Sequence, residues 1–195
     1  MAQPAPELWL LRHGATEWAR NGRHTGRTDL PLLAEGEAEA RALVPALAGL
    51  AFDAVLVSPL QRARRTAELA GLGAAAALCP DLCEWDYGDY EGITTAQIRA
   101  ERPGWSLWRD GCPGGEVADQ VQQRCEAVIA RALAVAVAPR VALVAHGHLL
   151  RALAGTWLGL GATGGSLLTL STATVSVLGF EREQRVILRW NSPVA

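Results

Sequence analysis

The sequence predicts an α/β fold, a three-layer α/β/α sandwich around a mostly parallel sheet. Two observations carry this reading. Apolar strands alternate with helical stretches through the first 158 residues, as in a parallel sheet covered by helices on both faces. Three of the strands, Leu8–Leu11, Ala54–Val57 and Val141–Ala145, are continuously apolar, which marks strands buried on both sides. No repeat and no linker divides the chain, so residues 1–195 read as one domain, long enough for a full core.

Each element has a local reason. Leu8–Leu11 is the first strand, followed by a Gly-, Arg- and Thr-rich loop from Gly14 to Pro31 that holds Asn21, Arg23, His24, Thr25 and Arg27. Glu35 to Leu50 reads as a helix with the stripe Ala38, Ala42, Leu43, Ala46 and Leu47. Its early glutamates, Glu35, Glu37 and Glu39, suit the positive end of the helix dipole. After Ala54–Val57, Ser58 suits an N-cap and Pro59 a first helical turn, for a helix from Leu60 to Ala70 with Arg62 near its start. Gly71 to Ala77 is Gly/Ala-rich, with a short strand expected at Ala76–Leu78.

Asp81 to Gly92 is acidic, aromatic and broken by glycine, hence a loop. Thr94 to Glu101 is a short helix capped by Thr94 or Thr95, and Pro103 to Glu116, with Trp105 and Trp108, is irregular. Long loops of this kind tend to be functional. Asp119 to Val137 is a long helix, because Val121, Cys125, Val128, Ile129, Ala132 and Leu133 fall at helical spacing. Leu149 to Leu158 is the next helix, Gly159 to Gly165 a flexible stretch, and Thr174–Phe180 with Arg185–Trp190 a closing hairpin.

Composition narrows the function. Half the residues are hydrophobic, 19% are charged and net charge is −2. Such a chain has no global basic field for nucleic acid or an anionic membrane. Met1 to Glu7 lacks the basic and apolar segments of a signal peptide, and no stretch is apolar enough to span a bilayer, so a cytoplasmic protein is expected. Cys79, Cys83, Cys112 and Cys125 lack paired metal-ligand spacing and read as free thiols rather than a zinc site or disulfides. A homodimer is left open.

The chemistry gathers at strand ends. One apolar strand stops at Arg12-His13-Gly14, one at Ser58-Pro59 with Arg62 a turn later, and one at His146-Gly147. In a parallel sheet these ends share an edge, where ligands bind in open α/β folds. Two guanidinium forks and an imidazolium suit a tetrahedral dianion, and the second histidine can serve as a nucleophile. Taken singly, each of these residues also has an ordinary structural reading.

Together they resemble a known family. Leu11-Arg12-His13-Gly14-Ala15-Thr16-Glu17 is similar to the signature of the histidine phosphatase superfamily, in its phosphoglycerate-mutase-like branch. Asn21-Gly22-Arg23 and Gly26 to Leu32 resemble its substrate loop, and Ser58-Pro59-Leu60-Gln61-Arg62-Ala63 with Thr66-Ala67 its second motif. Glu84, Tyr87-Gly88 and Glu91-Gly92 resemble its acid motif, Gly114-Gly115-Glu116 a further turn, and Val144-Ala145-His146-Gly147 its closing motif. One departure is Leu33, which stands where the family has a Thr or Ser N-cap.

The resemblance implies a phosphoglycerate-mutase-like fold and a mechanism. His13 attacks phosphorus and becomes a phosphohistidine; Arg12, Arg62 and His146 hold the equatorial oxygens; Glu84 protonates the leaving oxygen and then activates water. Gly14 leaves room beside the nucleophile, and Asn21 and Thr25 add phosphate contacts. No cofactor or metal is called for. Trp85, Tyr87 and Trp108 offer a stacking wall for the leaving group, with core packing as the alternative for the tryptophans. His24 and His148 carry no family role and read as pocket-lining or surface residues.

The resemblance covers three function classes: a phosphomonoester hydrolase of acid-phosphatase type, a cofactor-dependent phosphoglycerate mutase, and a silent regulatory or binding protein. Family mutases are longer, and the stretch here between the acid motif and the long helix is short and poor in Lys and Arg, which favours hydrolysis. The intact set of His13, Arg12, Arg62, Glu84 and His146 argues against the silent form. The expected substrate is a small phosphorylated metabolite or a phosphoprotein.

Overall fold

Strand β1 (Glu7–Arg12) divides its side chains between two cores. Leu8 and Leu10 point into one, Trp9 and Leu11 into the other, as the two-residue period of a strand requires. The structure is a computed structural model that describes residues 5–194. Residues 1–4 and 195, and with them the amino-terminal reading at Met1–Pro4, lie outside the described residues.

After β1 come α1 (Glu17–Asn21), α2 (Ala34–Leu47), β2 (Ala54–Val57), α3 (Gln61–Leu69) and β3 (Ala76–Leu78). Then follow α4 (Thr95–Glu101), α5 (Leu107–Asp110), α6 (Ala118–Leu133), β4 (Arg140–Ala145), α7 (Gly147–Trp157), β5 (Val175–Glu181) and β6 (Gln184–Ser192). The strands form one sheet in the order β3-β2-β4-β1-β5-β6. The first four are parallel; β5 runs antiparallel to β1, and β6 pairs with β5 as a hairpin. Val121, Val128, Leu149 and Leu153 of α6 and α7 pack on one face. Leu43, Leu47, Ala63 and Ala67 of α2 and α3 pack on the other, completing the three layers.

Register places the site. Leu11 and Val57 both sit level with Val144 of the central strand β4. Beyond those positions, the His13 amide donates to the Ala145 carbonyl (3.0 Å) and the Ser58 amide to the Val144 carbonyl (3.0 Å). The three strand ends therefore deliver His13, Ser58 and His146 side by side. Among the described residues no helix is long and apolar enough to cross a membrane, and all four cysteines are free.

Several local expectations need correction. The Gly14–Pro31 loop contains α1, which is capped by Thr16, whose hydroxyl accepts from the Ala19 amide, and closed by Gly22 at φ 74°. Helix α2 begins at Ala34 without a side-chain cap, in keeping with Leu33 at the cap position, and ends before Gly49 at φ 75°. Gly36, Ala40, Leu43 and Leu47 form its buried face, and Ala38 is exposed. Ser58 does not cap α3: its hydroxyl meets His146, and the amide of Gln61 is satisfied by Asp29 (2.8 Å). Helix α6 stops at Leu133, leaving Val137 fully exposed. The Gly159–Gly165 stretch leads into a packed 3₁₀ turn, Ala162–Leu167, with Gly164 and Gly165 buried. Thr94, not Thr95, caps α4, in a capping box with Gln97.

Gly14 serves packing rather than open space. A Cβ on Gly14 would lie 2.1 Å from the Gly36 carbonyl oxygen, and one on Gly36 would lie 2.1 Å from the Ala15 carbonyl oxygen. The loop after β1 and the first turn of α2 thus touch backbone to backbone. The Ala15 amide donates to Glu39 (2.8 Å) and the Leu33 amide to the Ala15 carbonyl (2.9 Å), which ties the same contact. In an exposed helix Gly→Ala stabilises by about 1 kcal/mol. Here Gly36→Ala is expected to destabilise, by about 1–3 kcal/mol as overpacking does, read as a lower urea midpoint; a raised midpoint would refute the contact.

Candidate active site

A cleft of about 200 Å³ opens at the carboxyl edge of the parallel strands. His13, Arg12, Glu84 and Tyr87 line it, together with His24, Thr25, His148 and Arg151. Three arginines, Arg12, Arg23 and Arg151, face one carboxylate there, so the cleft is cationic in a chain whose net charge is −2. Among the described residues none of those arginines is in an ion pair, the chain's ion pairs being made by other arginines.

The tautomer of His13 follows from its neighbour. Its Nδ1 lies 2.7 Å from the Gly14 carbonyl oxygen, which can only accept, so Nδ1 carries the proton. Nε2 is left with a free lone pair. Burial, then the positive charges of Arg62 and Arg12, push the imidazolium form well below the usual histidine range. His13 is therefore a neutral imidazole with an open lone pair at the end of β1. The loop that holds it is tied to α3 by the Gly14 amide donating to the Thr66 hydroxyl (3.1 Å), which itself donates to the Arg62 carbonyl (2.7 Å).

Arg12 donates to the Leu170 carbonyl, and its buried Nε has no partner among the described residues. That unspent donor beside His13 is suited to an anion. Arg62 behaves otherwise. It is fully buried and is not on the cleft wall. Its Nε donates to His146 Nδ1 (3.2 Å), Nη1 to the Thr28 carbonyl (2.9 Å), and Nη2 to the carbonyls of Thr25 and Gly26 (3.0 Å each).

Because Arg62 can only donate, His146 Nδ1 accepts, and the proton sits on Nε2, directed to the Ser58 hydroxyl at 2.7 Å. Burial first, then Arg62, pushes His146 well below the usual range. The expected imidazolium is thus a neutral ring, 5.2 Å from the His13 ring between centroids. Cationic charge in the cleft comes from arginines alone.

Glu84 closes the amino end of α7. Its Oε1 accepts from the Trp85 amide (2.9 Å) and the Leu149 amide (2.8 Å), and Oε2 from the His148 amide (3.0 Å). Three amides fix a carboxylate that lines the cleft.

The remaining expected residues separate. Thr25 lines the cleft with its hydroxyl turned to the Arg23 carbonyl (3.3 Å). Tyr87 lines it too, buried, with its hydroxyl 2.6 Å from His148 Nδ1. Asn21 is exposed at the end of α1 and is not on the wall, whereas its neighbours Gly22 and Arg23 are. Trp85 is fully buried, donates to the Glu116 carbonyl (2.9 Å) and packs edge-on against Trp108, so it belongs to the core. His24 and His148 line the pocket rather than the surface. The His24 ring lies over Tyr87, 4.8 Å between centroids, and burial is the largest influence lowering both histidines. Arg151 is the cleft residue with no forewarning in a strand ending; its signal is helical, three residues beyond His148 on the same face.

Comparison with known proteins agrees with this geometry. Residues 8–193 match the model of the histidine phosphatase superfamily, branch 1. An acid phosphatase of Mycobacterium tuberculosis is 42% identical over 180 residues, covering 91% of this chain and 88% of the relative. A sedoheptulose 1,7-bisphosphatase of Saccharomyces cerevisiae is 35% identical, covering 83% of this chain and 70% of the relative. The solved structure of a Mycobacterium tuberculosis open reading frame superposes with a TM-score of 0.92 at 39% identity, over 97% of this chain and 99% of that one. A mycobacterial glucosyl-3-phosphoglycerate phosphatase solved with VO3 superposes at a TM-score of 0.86 and 30% identity, over 96% of this chain and all (100%) of that one. The mostly parallel α/β/α sandwich and the strand-end motifs thus have one common explanation: the chain belongs to branch 1 of the histidine phosphatase superfamily.

Proposed function

We propose that this protein is a phosphomonoester hydrolase that works through a phosphohistidine on His13. The observation that carries the reading is the Nδ1–Gly14 carbonyl bond, which leaves a neutral Nε2 lone pair inside a cationic cleft. In the first step Nε2 attacks phosphorus in line, the bond from phosphorus to the leaving oxygen breaks, and Glu84 gives that oxygen a proton. In the second, Glu84 takes a proton from water as the water oxygen attacks phosphorus; the P–N bond breaks and its electron pair returns to Nε2. Phosphoryl transfer of this kind is mainly positioning and electrostatics.

The residues divide the work. Arg12, with its unpaired Nε, meets the phosphoryl oxygens directly. Arg62 and His146 act from behind the wall: Arg62 holds the Thr25–Thr28 carbonyls and His146, and its positive charge adds to burial in keeping the histidines neutral. Thr25 and Tyr87 shape the cleft. The acid phosphatase likeness at 42% identity supports hydrolysis over phosphoryl return to a sugar acid, although a relative at 31% identity carries the name of a probable phosphoglycerate mutase. The substrate is a small phosphorylated metabolite, in keeping with a cleft of about 200 Å³.

Hydrolysis of p-nitrophenyl phosphate in the presence of EDTA, run beside a mutase assay, tests the reading; absence of phosphatase turnover would refute it. His13→Ala is expected to abolish both turnover and acid-labile phosphate labelling, and full activity in that variant would show the nucleophile to be misassigned. Glu84→Gln should slow alkyl esters about 10²- to 10⁴-fold, the usual scale for a general acid, and nitrophenyl esters much less, since they leave without a proton; equal slowing removes Glu84 from that role.

A pH profile tests the state of His13. Its folded pKa is lowered, so the reactive neutral form persists below the ordinary value of 6.5 and is lost only when pH falls through the depressed value. After correction for the ester's own ionisation, kcat/KM should show no loss as pH falls through 6.5. An acid limb centred at 6.5 would show an unperturbed nucleophile.

A further inference from the structure

The cleft holds more positive charge than one phosphoryl group needs. Arg12 stands beside the nucleophile on β1, while Arg151 stands apart on α7 and also faces the cleft. Arg151 is half-buried. Its guanidinium stacks over the Trp108 ring at 4.7 Å, and its Nε donates to the Gly165 carbonyl (3.1 Å). Among the described residues its two terminal nitrogens donate no hydrogen bond and no carboxylate lies within ion-pair distance.

This arginine is held in place by packing. A Cβ on Gly165 would lie 2.7 Å from the Arg151 backbone and 2.7 Å from the Trp108 ring, so the 3₁₀ turn presses against both. Stacking and the Nε bond fix the plane of the guanidinium and aim its open edge. A fixed fork loses little freedom on meeting an oxyanion. After burial itself, Arg151 is the strongest influence on the nearby His148 ring, which places its charge at the cleft wall.

We propose that Arg151 anchors a second anionic group, so that the preferred substrates are phosphate monoesters whose leaving group carries a carboxylate or another phosphate. The inference rests on the phosphatase reading and narrows it. One phosphate is attacked by His13 next to Arg12; the other anion lies in the open fork of Arg151. His24, Tyr87 and His148, all neutral, complete the wall as partners for uncharged polar atoms.

The test compares three esters of one chain length: propyl phosphate, 3-phosphooxypropanoate and 1,3-propanediol bisphosphate. The wild-type enzyme should prefer at least one doubly anionic ester in kcat/KM, and which one tells carboxylate from phosphate. Arg151→Gln should reduce that preference about ten- to hundred-fold, the scale of a charge-assisted bidentate contact, mainly through KM. Arg151→Lys should restore part of it, which a purely structural arginine over Trp108 would not require. Equal treatment of the three esters by the wild type, or an unchanged preference in Arg151→Gln, overturns the inference while hydrolysis of propyl phosphate upholds the phosphatase reading. Calorimetric titration of His13→Ala protein gives an answer independent of turnover: 1,3-propanediol bisphosphate binding no tighter than propyl phosphate overturns the inference even where no ester is hydrolysed.

Discussion

A buried arginine organises the carboxyl edge of the sheet in this molecule. Arg62 has no exposure to solvent, and a charge so placed is costly unless its donors are satisfied. The chain satisfies them by folding the Thr25–Thr28 segment over the guanidinium, so that three carbonyls accept its hydrogen bonds, and by setting His146 Nδ1 against Nε. One side chain thereby joins α3, the loop after α1 and the end of β4. Removing it would strand three carbonyls and an imidazole nitrogen, so damage there should spread well beyond one phosphate contact.

Burial first, and then the same charge, sets the protonation of the site. His13 and His146 lie near Arg62 in an interior that disfavours charge, and both are held neutral. A neutral His13 keeps its lone pair; a neutral His146 orients Ser58. Positive charge is thus confined to guanidinium groups, whose planar forks suit oxyanions, and nucleophilicity to an imidazole. Glu84 rests on the amide donors of α7, so the carboxylate and the His13 ring are positioned by two different backbone devices, a helix start and a carbonyl.

Much of this was legible in the residues. Continuous apolar runs ending in Arg12-His13, Ser58 and His146-Gly147 pointed to a parallel sheet and to the meeting of those groups, because a buried strand has few alternatives; the strand order was not legible in them. Loops were less legible. Helix α1 has only five residues and lies within a Gly-rich stretch, although Thr16 and Gly22 marked its ends. Trp85 and Tyr87 are two apart in one loop, yet one enters the core and the other the cleft; no periodicity decides that in irregular backbone. The neutral state of His146 depended on which atom of Arg62 points at it, a matter of side-chain geometry that spacing does not carry. Arg151 was hidden because its partners, Trp108 and Gly165, come from distant parts of the chain.

The contact between Gly14 and Gly36 has a thermodynamic side. Neither residue has a rotamer to lose, so the glycine-to-glycine contact itself costs no side-chain entropy; its cost lies in the two backbones, which is high for glycine. Once that is met, the two backbones cannot adjust by turning about a χ angle. The position of the His13 loop is therefore set by the strand and the helix it is fastened between.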